Sequence, residues 1–578
     1  MKILLATILA FPLLAQAQKP QAATSADSAK PAPEDGIPVT NQLVVSKCGA
    51  CHTRDKDGNM LRISWERGTP EAWEEAIKRM VRLNGVRLTP EEARTVLKYL
   101  ATYHGLAPEE AKPILYYPEH RIQDETNIPN DNVRGACANC HPLARPLSWR
   151  RSAQDWKNLA NLHVALYPQA DEAFRLGINA GGFDQDRPQR DQNALLPVDE
   201  AVAYLSKTAP LHTPEWAAWR ARMRAPKIAG RWLVSAQVPG HGRYFGEMEV
   251  NPVGGTDDEF TTSVKLTSVK DGSTVTRTGR GLVYAGYAWR GRSKGTLPAN
   301  PAPDDLNSES REVVTFSTDL GSAEGRWFWG QYQGFEFNVK LRRPSADPTL
   351  IGADRLSLKT GSQGARVRLL GESLPAQIDA ADLDFGTGVT VKRVVSHSAT
   401  EIVAEVDVAS DAVSGKRDIS YRRSVLPAAI AVYDRIDYIK VAPDSALAHL
   451  GSDVHPKGLE QFEAIAYQRG ADGKLHTADD VELGPVDVNW SVEEFYSTYG
   501  DDDREFVGSL NQNGLFTPAL DGPNPQRKFS RNNYGDIWVV ATAKNEKDKD
   551  GKPLIGKSYL VVTVPAYMQW DQPEVSGQ

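Results

Sequence analysis

Two copies of one five-residue motif carry the most specific chemistry in this chain of 578 residues. In a C-x-x-C-H motif the two thiols form thioethers to a porphyrin, and the adjacent histidine becomes the proximal iron ligand. A redox dithiol or half of a zinc site is the alternative for a single C-x-x-C. All four cysteines of the chain are used, so the sequence predicts two covalently bound haems c and no disulfide. The motifs are Cys48-Gly49-Ala50-Cys51-His52 and Cys137-Ala138-Asn139-Cys140-His141.

The sequence around the motifs repeats itself, and the repeat predicts the sixth ligand of each iron. Met80 follows Trp73 by seven residues in the first copy, and His163 follows Trp156 by seven in the second. Seven residues are about two helical turns, so each pair lies on one face of a helix. We therefore predict that Met80 binds the first iron, opposite His52, and that His163 binds the second.

Other ligands stay open for both irons. Met60 lies only eight residues past the first motif, which gives it little reach to the opposite porphyrin face, and Met80 would also suit a helix core. Of the six methionines, only Met223 lies between the second motif and the β-rich region, and it stands beyond the repeat. His120 and His212 are weaker candidates, because the repeat gives neither of them a ligating counterpart.

The two ligand sets predict unequal reduction potentials. A thioether axial ligand raises the potential of a haem relative to an imidazole. Electrons are therefore expected to enter at the haem of His141 and His163 and to leave from the haem of His52 and Met80.

Helical and extended patterns divide the chain into domains. Apolar residues at helical spacing predict helices over 71–83 and 90–104. From about 226 onward, short runs of Val, Tyr, Phe, Trp and Thr alternate with turn residues, which is typical of sandwiches and barrels. We predict an all-α tandem cytochrome c domain followed by three all-β domains, one barrel-like and two immunoglobulin-like. The predicted borders are 39–225 (lobes 39–115 and 116–225), 226–345, 346–437 and 438–578.

The N-terminus and the composition indicate an exported protein. Lys2, an apolar run and Ala15-Gln16-Ala17 predict a signal peptide over 1–17, and an Ala-, Pro- and Ser-rich stretch predicts a disordered leader over 18–38. We therefore expect a periplasmic location. The net charge of −7 is too mild and mixed to indicate nucleic-acid binding. No later segment is long and apolar enough to predict a membrane span.

The β-rich region contains no recognised catalytic motif, and three of its segments have two interpretations each. The stretch 471–480 resembles a calcium loop faintly but lacks its ligand spacing, so a hairpin loop is favoured. Asp501, Asp502 and Asp503 are expected to form a solvated charge run. Aromatic residues over 327–337 are expected to form a β core, with a docking surface as the alternative.

Taken together, these features make the chain resemble a known family, the alpha subunit of quinohaemoprotein amine dehydrogenase. The resemblance rests on a signal peptide, two C-x-x-C-H lobes with Met80 and His163 in matching places, and a β region that opens with a characteristic stretch. That stretch is Ile228-Ala229-Gly230-Arg231-Trp232-Leu233 followed by Gly242-Arg243-Tyr244-Phe245-Gly246. The resemblance covers essentially the whole mature chain.

The resemblance implies a role and partners that spacing does not show. It implies a dihaem subunit, with no catalytic residue of its own, that assembles with a β-propeller subunit and a small subunit carrying cysteine tryptophylquinone. The complex would oxidise primary amines to aldehydes and ammonia. The haems would relay electrons to a blue copper protein or a cytochrome c.

Three other functions compete with that interpretation. One is the dihaem subunit of another periplasmic dehydrogenase, and the second is a haem-based redox sensor whose β domains act as adhesion modules. The third is a dihaem peroxidase, which needs an open distal site, whereas Met80 and His163 would close both irons.

Overall fold

Helices dominate the first part of the chain, and the computed structural model describes residues 34–116, 128–138, 140–176, 194–495, 501–548 and 550–565. The predicted signal peptide and His120 lie outside the described residues. In this part the described helices are α1 (Gln42–Cys48), α2 (Pro70–Asn84), α3 (Pro90–Tyr103), α4 (Pro108–Ala111), α5 (Asp131–Cys137), α6 (Ala144–Leu147), α7 (Ala153–Leu166), α8 (Pro168–Leu176), α9 (Pro197–Thr208) and α10 (Pro214–Arg222).

The helix starts follow from capping residues in the sequence. At α3, the Thr89 hydroxyl accepts from the Glu92 backbone N–H, and the Glu92 carboxylate accepts from the Thr89 N–H. This capping box satisfies two backbone donors that a helix start otherwise leaves unpaired. Thr69 and Ser152 cap α2 and α7 in the same way through one hydrogen bond each.

The prediction of an all-α first domain is wrong. Two short strands, β1 (Glu66–Gly68) and β2 (Trp149–Arg151), pair antiparallel between the lobes, and the chain as a whole is mostly β, with 40% strand and 22% helix. Each strand is an extended segment that leads into a capped helix, and the pairing places these segments side by side. Three-residue strands are too short to leave a period-2 pattern, so the sequence gives no signal for them.

The predicted leader also ends too late. Ile37, which falls within it, is buried, and its N–H donates to the Ser64 carbonyl at 2.8 Å. The packed part of the first lobe therefore includes Ile37.

Eight antiparallel strands close into a barrel after the helical region. Its filling is aromatic and aliphatic, with Trp232, Trp289 and Trp327 fully buried. Trp327, Phe328, Trp329, Phe335 and Phe337 are buried, which confirms the core interpretation for these five, whereas Tyr332 is half-buried. The strands are β3 (Gly230–Val238), β4 (Gly242–Pro252), β5 (Glu259–Ser268), β6 (Thr274–Tyr284), β7 (Ala288–Lys294), β8 (Ser310–Phe316), β9 (Ser322–Trp329) and β10 (Phe335–Arg342).

Two four-stranded sheets follow the barrel, in the orders β11-β13-β16-β15 and β12-β18-β17-β14. Alternate residues of β16 are buried, as expected for strands with one face on a core. The strands are β11 (Thr349–Ala353), β12 (Ser357–Lys359), β13 (Ala365–Glu372), β14 (Leu383–Asp384), β15 (Val389–His397), β16 (Glu401–Val408), β17 (Gly415–Tyr421) and β18 (Ser424–Tyr433).

The last region combines a four-stranded sheet, β20-β28-β27-β24, with two three-stranded sheets, β19-β22-β23 and β21-β26-β25. No helix in the described part of the chain is long and apolar enough to cross a membrane. The elements are β19 (Tyr438–Ala442), β20 (Ser445–His449), β21 (Glu460–Gln461), β22 (Glu463–Gln468), β23 (Val481–Pro485), β24 (Val488–Glu494), α11 (Asp503–Phe506), β25 (Gly508–Leu510), β26 (Leu515–Pro518), β27 (Gly535–Lys547) and β28 (Pro553–Thr563).

Candidate functional site

Each C-x-x-C-H motif begins at the last residue of a helix. α1 ends at Cys48 and α5 ends at Cys137, and an asparagine caps the start of each helix, Asn41 and Asn130. In the first motif the chain then turns so that the His52 N–H donates to the Cys48 carbonyl at 2.9 Å. The helix end therefore brings the two cysteines and the histidine of one motif close together.

The four cysteines are free thiols in this structure. Cys48 and Cys137 are half-buried, whereas Cys51 and Cys140 are exposed. Burial raises the pKa of Cys48, and it raises the pKa of Cys137 to about 12. The two buried thiols are therefore neutral at physiological pH, and none of the four is used in a disulfide.

The three histidines predicted as iron ligands share one hydrogen-bonding arrangement. Nδ1 lies 2.8 Å from the Leu61 carbonyl in His52, 3.1 Å from the Pro142 carbonyl in His141, and 2.9 Å from the Leu159 carbonyl in His163. A proton on Nδ1 that donates to a carbonyl leaves Nε2 as the unprotonated, metal-binding nitrogen. This arrangement suits imidazoles that bind iron.

The repeat seen in the sequence is also present in the hydrogen bonds of the two lobes. The Trp73 indole N–H donates to the His104 carbonyl at 2.9 Å, and the Trp156 indole N–H donates to the Ala209 carbonyl at 3.1 Å. His104 and Ala209 are the C-cap residues of α3 and α9, so each tryptophan ties its helix to the end of the equivalent partner helix.

The predicted sixth ligands stand at the same helix position. Met80 follows the N-cap Thr69 by eleven residues, and His163 follows the N-cap Ser152 by eleven. The two side chains therefore leave equivalent helices in equivalent directions. Which of them binds iron stays a prediction.

The two candidate methionines of the first lobe differ in exposure. Met60 is fully enclosed in the hydrophobic core, at 0% exposure. Met80 is half-buried, and its sulfur accepts a hydrogen bond from the Asn84 side-chain amide at 3.6 Å. An iron needs an open side of its ligand, so the packing supports Met80 over Met60.

Burial sets the protonation state of the two histidines of the second lobe. Burial, with a smaller contribution from the charges of Arg145 and His163, lowers the pKa of His141 to about 4. Burial likewise lowers the pKa of His163. Both rings are therefore neutral near pH 7, which is the form that binds a metal. His212, the weaker candidate, is exposed.

The donor set fits haem c in both lobes. Each lobe offers two thiols outside any disulfide, an imidazole whose Nδ1 lies near a backbone carbonyl, and one more sulfur or nitrogen donor on a second helix. These are the groups that attach and ligate a c-type haem.

Sequence reasoning missed a buried ion pair within the first lobe and an ion pair between the lobes. Arg67 and Glu110 form a doubly hydrogen-bonded pair at 2.8 and 2.9 Å, and Arg145 pairs with Glu75 across the lobe boundary. His104, fully buried, has no hydrogen-bond partner on either ring nitrogen among the described residues. Isolated charges in a helical pattern usually point to solvent, so no local signal separates these from surface residues.

The acidic run 501–503 is not solvated, so that expectation is wrong. Asp503 is buried, and Arg527, whose side chain is fully buried, bonds both Asp502 and Asp503. Arg531 pairs with all three carboxylates. The arginines stand more than twenty residues away in the chain, where local pattern reading does not reach.

The loop 471–480 forms its own hydrogen bonds instead of a calcium cage. The Asp480 carboxylate accepts from the Gly470 and Thr477 backbone N–H groups at 2.9 and 3.0 Å, and from the Tyr438 hydroxyl at 2.7 Å. These bonds support the hairpin interpretation.

Comparison with known proteins points to one family along the whole chain. The family model of the haem-binding domain of quinohemoprotein amine dehydrogenase A, alpha subunit, matches residues 39–215. Models of domains II, III and IV of the same alpha subunit match residues 225–344, 348–434 and 439–575. No curated protein matches the chain.

Two of the solved structures found in the comparison match parts of the chain. A redesigned β barrel, mFAP1, bound to DFHBI is 15% identical, covers 20% of this chain and 94% of its own, and has a TM-score of 0.17. Human protocadherin-24 EC1-2 is 16% identical, covers 39% of this chain and 98% of its own, and has a TM-score of 0.15. TM-scores this low do not establish a shared fold.

The four family models follow one another in order and include a haem-binding domain, which confirms the resemblance seen in the sequence. This chain belongs to the family of quinohemoprotein amine dehydrogenase alpha subunits.

Proposed function

We propose that this chain is the dihaem electron-transfer and scaffold subunit of a periplasmic quinohaemoprotein amine dehydrogenase. The observation that carries the proposal is the pair of equivalent lobes, each with two free thiols and a histidine at a helix end, within a chain of this family. The quinone site is on another chain, because all four cysteines of this one belong to the haem motifs.

Each lobe has its own set of haem-binding residues. Cys48 and Cys51 would hold one porphyrin through thioethers, and His52 and Met80 would bind its iron. The second lobe would use the equivalent set, Cys137, Cys140, His141 and His163. Haem c supplies reversible one-electron chemistry when it is bound.

The residues of this chain do three things for that chemistry. The backbone carbonyls of Leu61, Pro142 and Leu159 orient the imidazoles and hold the proton on Nδ1. The buried surroundings of His141 and His163 keep both rings neutral. The unequal sixth ligands make electron flow from the second lobe to the first lobe favourable.

The partners follow from the family and from the chemistry that this chain lacks. The complex contains a β-propeller subunit and a small subunit with cysteine tryptophylquinone, where primary amines are oxidised to aldehydes and ammonia. Electrons leave to a blue copper protein or a cytochrome c. Export through the signal peptide 1–17 would deliver the chain to the periplasm, where haem c is attached.

Purification of the complex from the native periplasm tests the proposal. The chain is expected to co-elute with two others, of which the small one stains for quinone. Mass spectrometry of the mature chain is expected to find two added haem masses. A chain that elutes alone, or one that carries fewer than two haems, contradicts the proposal.

A further inference from the structure

Three arginines stand near the boundary between the two lobes: Arg79, Arg145 and Arg151. Arg145 follows His141 of the second motif by four residues, and its ion pair with Glu75 brings α2 next to that motif. Arg145 is paired with Glu75, and Arg151 is paired with Glu66.

Arg79 differs from the other two because it has no carboxylate partner among the described residues. Its Nε is buried and has no hydrogen-bond partner there. A buried guanidinium N–H without an acceptor is costly, because the group has lost its water and gained nothing in exchange. Among the described residues Arg79 therefore lacks an acceptor for its Nε–H, and a bound anionic group would supply one.

The direction of Arg79 follows from its helix. Glu75 and Arg79 are one turn apart on α2, so they share a face, and Glu75 bonds Arg145 of the second lobe. Trp73 and Ile77 lie on the opposite side of α2 and pack into the core of the first lobe. The α2 helix of the first lobe thus presents the face of Arg79 to the second lobe.

Two successive residues of α2, Arg79 and Met80, point toward different lobes. Met80 follows Arg79 directly and lies about 100° further around the helix axis. That turn returns Met80 to the side of Trp73, which stands seven residues earlier. The helix that carries the predicted ligand of the first iron therefore also presents a cation to the second lobe.

The equivalent helix of the second lobe, α7, has no arginine at the position of Arg79. Arg79 follows its N-cap Thr69 by ten residues, and Leu162 follows its N-cap Ser152 by ten. An uncharged, apolar side chain thus stands in α7 where α2 has an arginine. At this helix position, only the first lobe therefore has a positive charge.

We propose that Arg79 of the first lobe is a positioning residue for the haem of the second lobe, where it holds a propionate carboxylate of the porphyrin across the lobe boundary. The acceptor that Arg79 lacks and the anionic groups of a haem match in chemistry, because a planar guanidinium binds a carboxylate through two parallel hydrogen bonds. This inference rests on the proposed function, since it takes a haem in the second lobe as given.

A cation at this position also changes the potential of that haem. A ferric haem that takes up one electron becomes ferrous and loses one positive charge, so a nearby cation favours the ferrous form. Arg79 therefore opposes the low potential that two imidazole ligands confer, and narrows the gap between the two haems. Removal of the charge is expected to lower the potential of the second-lobe haem alone.

Spectroelectrochemical titration of the purified complex with Arg79→Gln tests the inference. The equilibrium constant for reduction of the second-lobe haem is expected to fall about tenfold, which is about 59 mV for one electron. The first-lobe haem, recognised by its sulfur-to-iron absorption band, is expected to keep its potential. The matched control is Arg82→Gln, an exposed arginine on the same helix, which is expected to change neither haem.

Arg79→Lys separates charge from packing. Lysine keeps the charge, so the reduction potential of the second-lobe haem is expected to return most of the way to its original value. The resonance Raman bands of one haem's propionates are expected to shift, because the two parallel hydrogen bonds of the guanidinium are lost. The proposal is overturned if Arg79→Gln leaves the second-lobe potential unchanged or shifts the other haem instead. It is also overturned if Arg79→Lys restores none of the potential.

The haem count keeps this result separate from the proposed function. If mass spectrometry finds two haems and the complex assembles while Arg79→Gln has no effect, this inference fails and the proposed function stands. If fewer than two haems are attached, the proposed function fails.

Discussion

The ligand assignments at the scale of single residues depend on which atoms the fold leaves open. His52, His141 and His163 each direct Nδ1 to a backbone carbonyl, so Nε2 is the nitrogen that remains. The same reasoning separates the two methionines of the first lobe, because Met60 has no open side and Met80 has one.

Substitution of the two methionines checks the first-lobe assignment. Met80→Ala is expected to abolish the sulfur-to-iron absorption band and to lower the potential of one haem, because a thioether ligand is lost. Met60→Leu is expected to keep the band and to cost less than about 1.5 kcal/mol of stability, because the swap nearly conserves core volume. Optical spectra of both variants decide, and loss of the band in Met60→Leu alone would reverse the assignment.

The charged carboxylate of Asp480 accepts the hydrogen bonds that hold the loop 471–480, so its titration predicts a pH dependence of stability. Burial would raise the pKa of this carboxyl, but hydrogen bonds from the Tyr438 hydroxyl and three backbone N–H groups outweigh it and lower the pKa to about 2. The usual pKa of this carboxyl is 3.8. At pH values between 3.8 and about 2, Asp480 is therefore more often protonated in the unfolded chain than in the folded one. The stabilisation is therefore complete above about pH 4 and is lost as the pH falls through about 2.

Asp480→Asn is expected to lower the free energy of unfolding at neutral pH by on the order of 1 kcal/mol, a value reduced for solvent screening. Thermal unfolding of the two proteins is compared from neutral pH to about pH 2, where the difference in midpoint is expected to vanish. The exposed Asp453→Asn is the control. A difference that stays constant across this range would show that the charge of Asp480 is not its cause.

Elements from both lobes meet at one buried ionic centre. Glu110 of α4 accepts two hydrogen bonds from Arg67 of β1, one from the Ala107 N–H and one from the Thr213 hydroxyl, and Arg150 of β2 lies at 3.4 Å. The β1–β2 ladder holds the two arginines next to each other in register. The ladder and the carboxylate therefore fix the lobes relative to one another.

Glu110→Gln is expected to cost about 3–5 kcal/mol, because it leaves the fully buried Arg67 with an uncompensated charge. Chemical unfolding followed at the haem absorption band measures the loss. Glu324→Gln, which removes an exposed partner of Lys112, is expected to cost at most about 1 kcal/mol. Equal costs for the two variants would mean that the buried pair does not hold the lobes together.

The helical domain and the barrel share a core through the hairpin of β6 and β7. The turn between β6 and β7 inserts Tyr284, Ala285, Tyr287 and Ala288 into the hydrophobic core of the helical domain. The Tyr287 hydroxyl donates to the Leu106 carbonyl at 3.1 Å, and Arg290 forms a buried ion pair with Glu71. The barrel thus completes the core that surrounds the haem lobes.

A substitution in the barrel should therefore weaken the haem domain. Tyr287→Ala is expected to cost about 3–5 kcal/mol through the cavity it leaves. Tyr287→Phe removes only the hydrogen bond and is expected to cost about 0.5–1.5 kcal/mol. Thermal unfolding is followed separately by haem absorption and by tryptophan fluorescence. An unchanged haem transition in Tyr287→Ala would show that the two domains unfold independently.

The sequence by itself predicted the haem attachment, and it contains the duplication and the shared register of Met80 and His163. Each of these is written in residues a few positions apart, and helical spacing relates such residues directly to one face. The capped start of α3 at Thr89 and the buried aromatic core around Trp327 could be predicted for the same reason.

Only the tertiary structure decided which distant residues meet. The β1–β2 ladder, the pairing of Arg527 with Asp503, the insertion of Tyr287 and the direction of Arg79 all join segments far apart in the chain. A local pattern records whether a side chain is apolar or charged and where it repeats. The packing of whole elements decides which residue pairs with a buried charge and which strand pairs with another. These pairings can therefore be identified only in the folded chain.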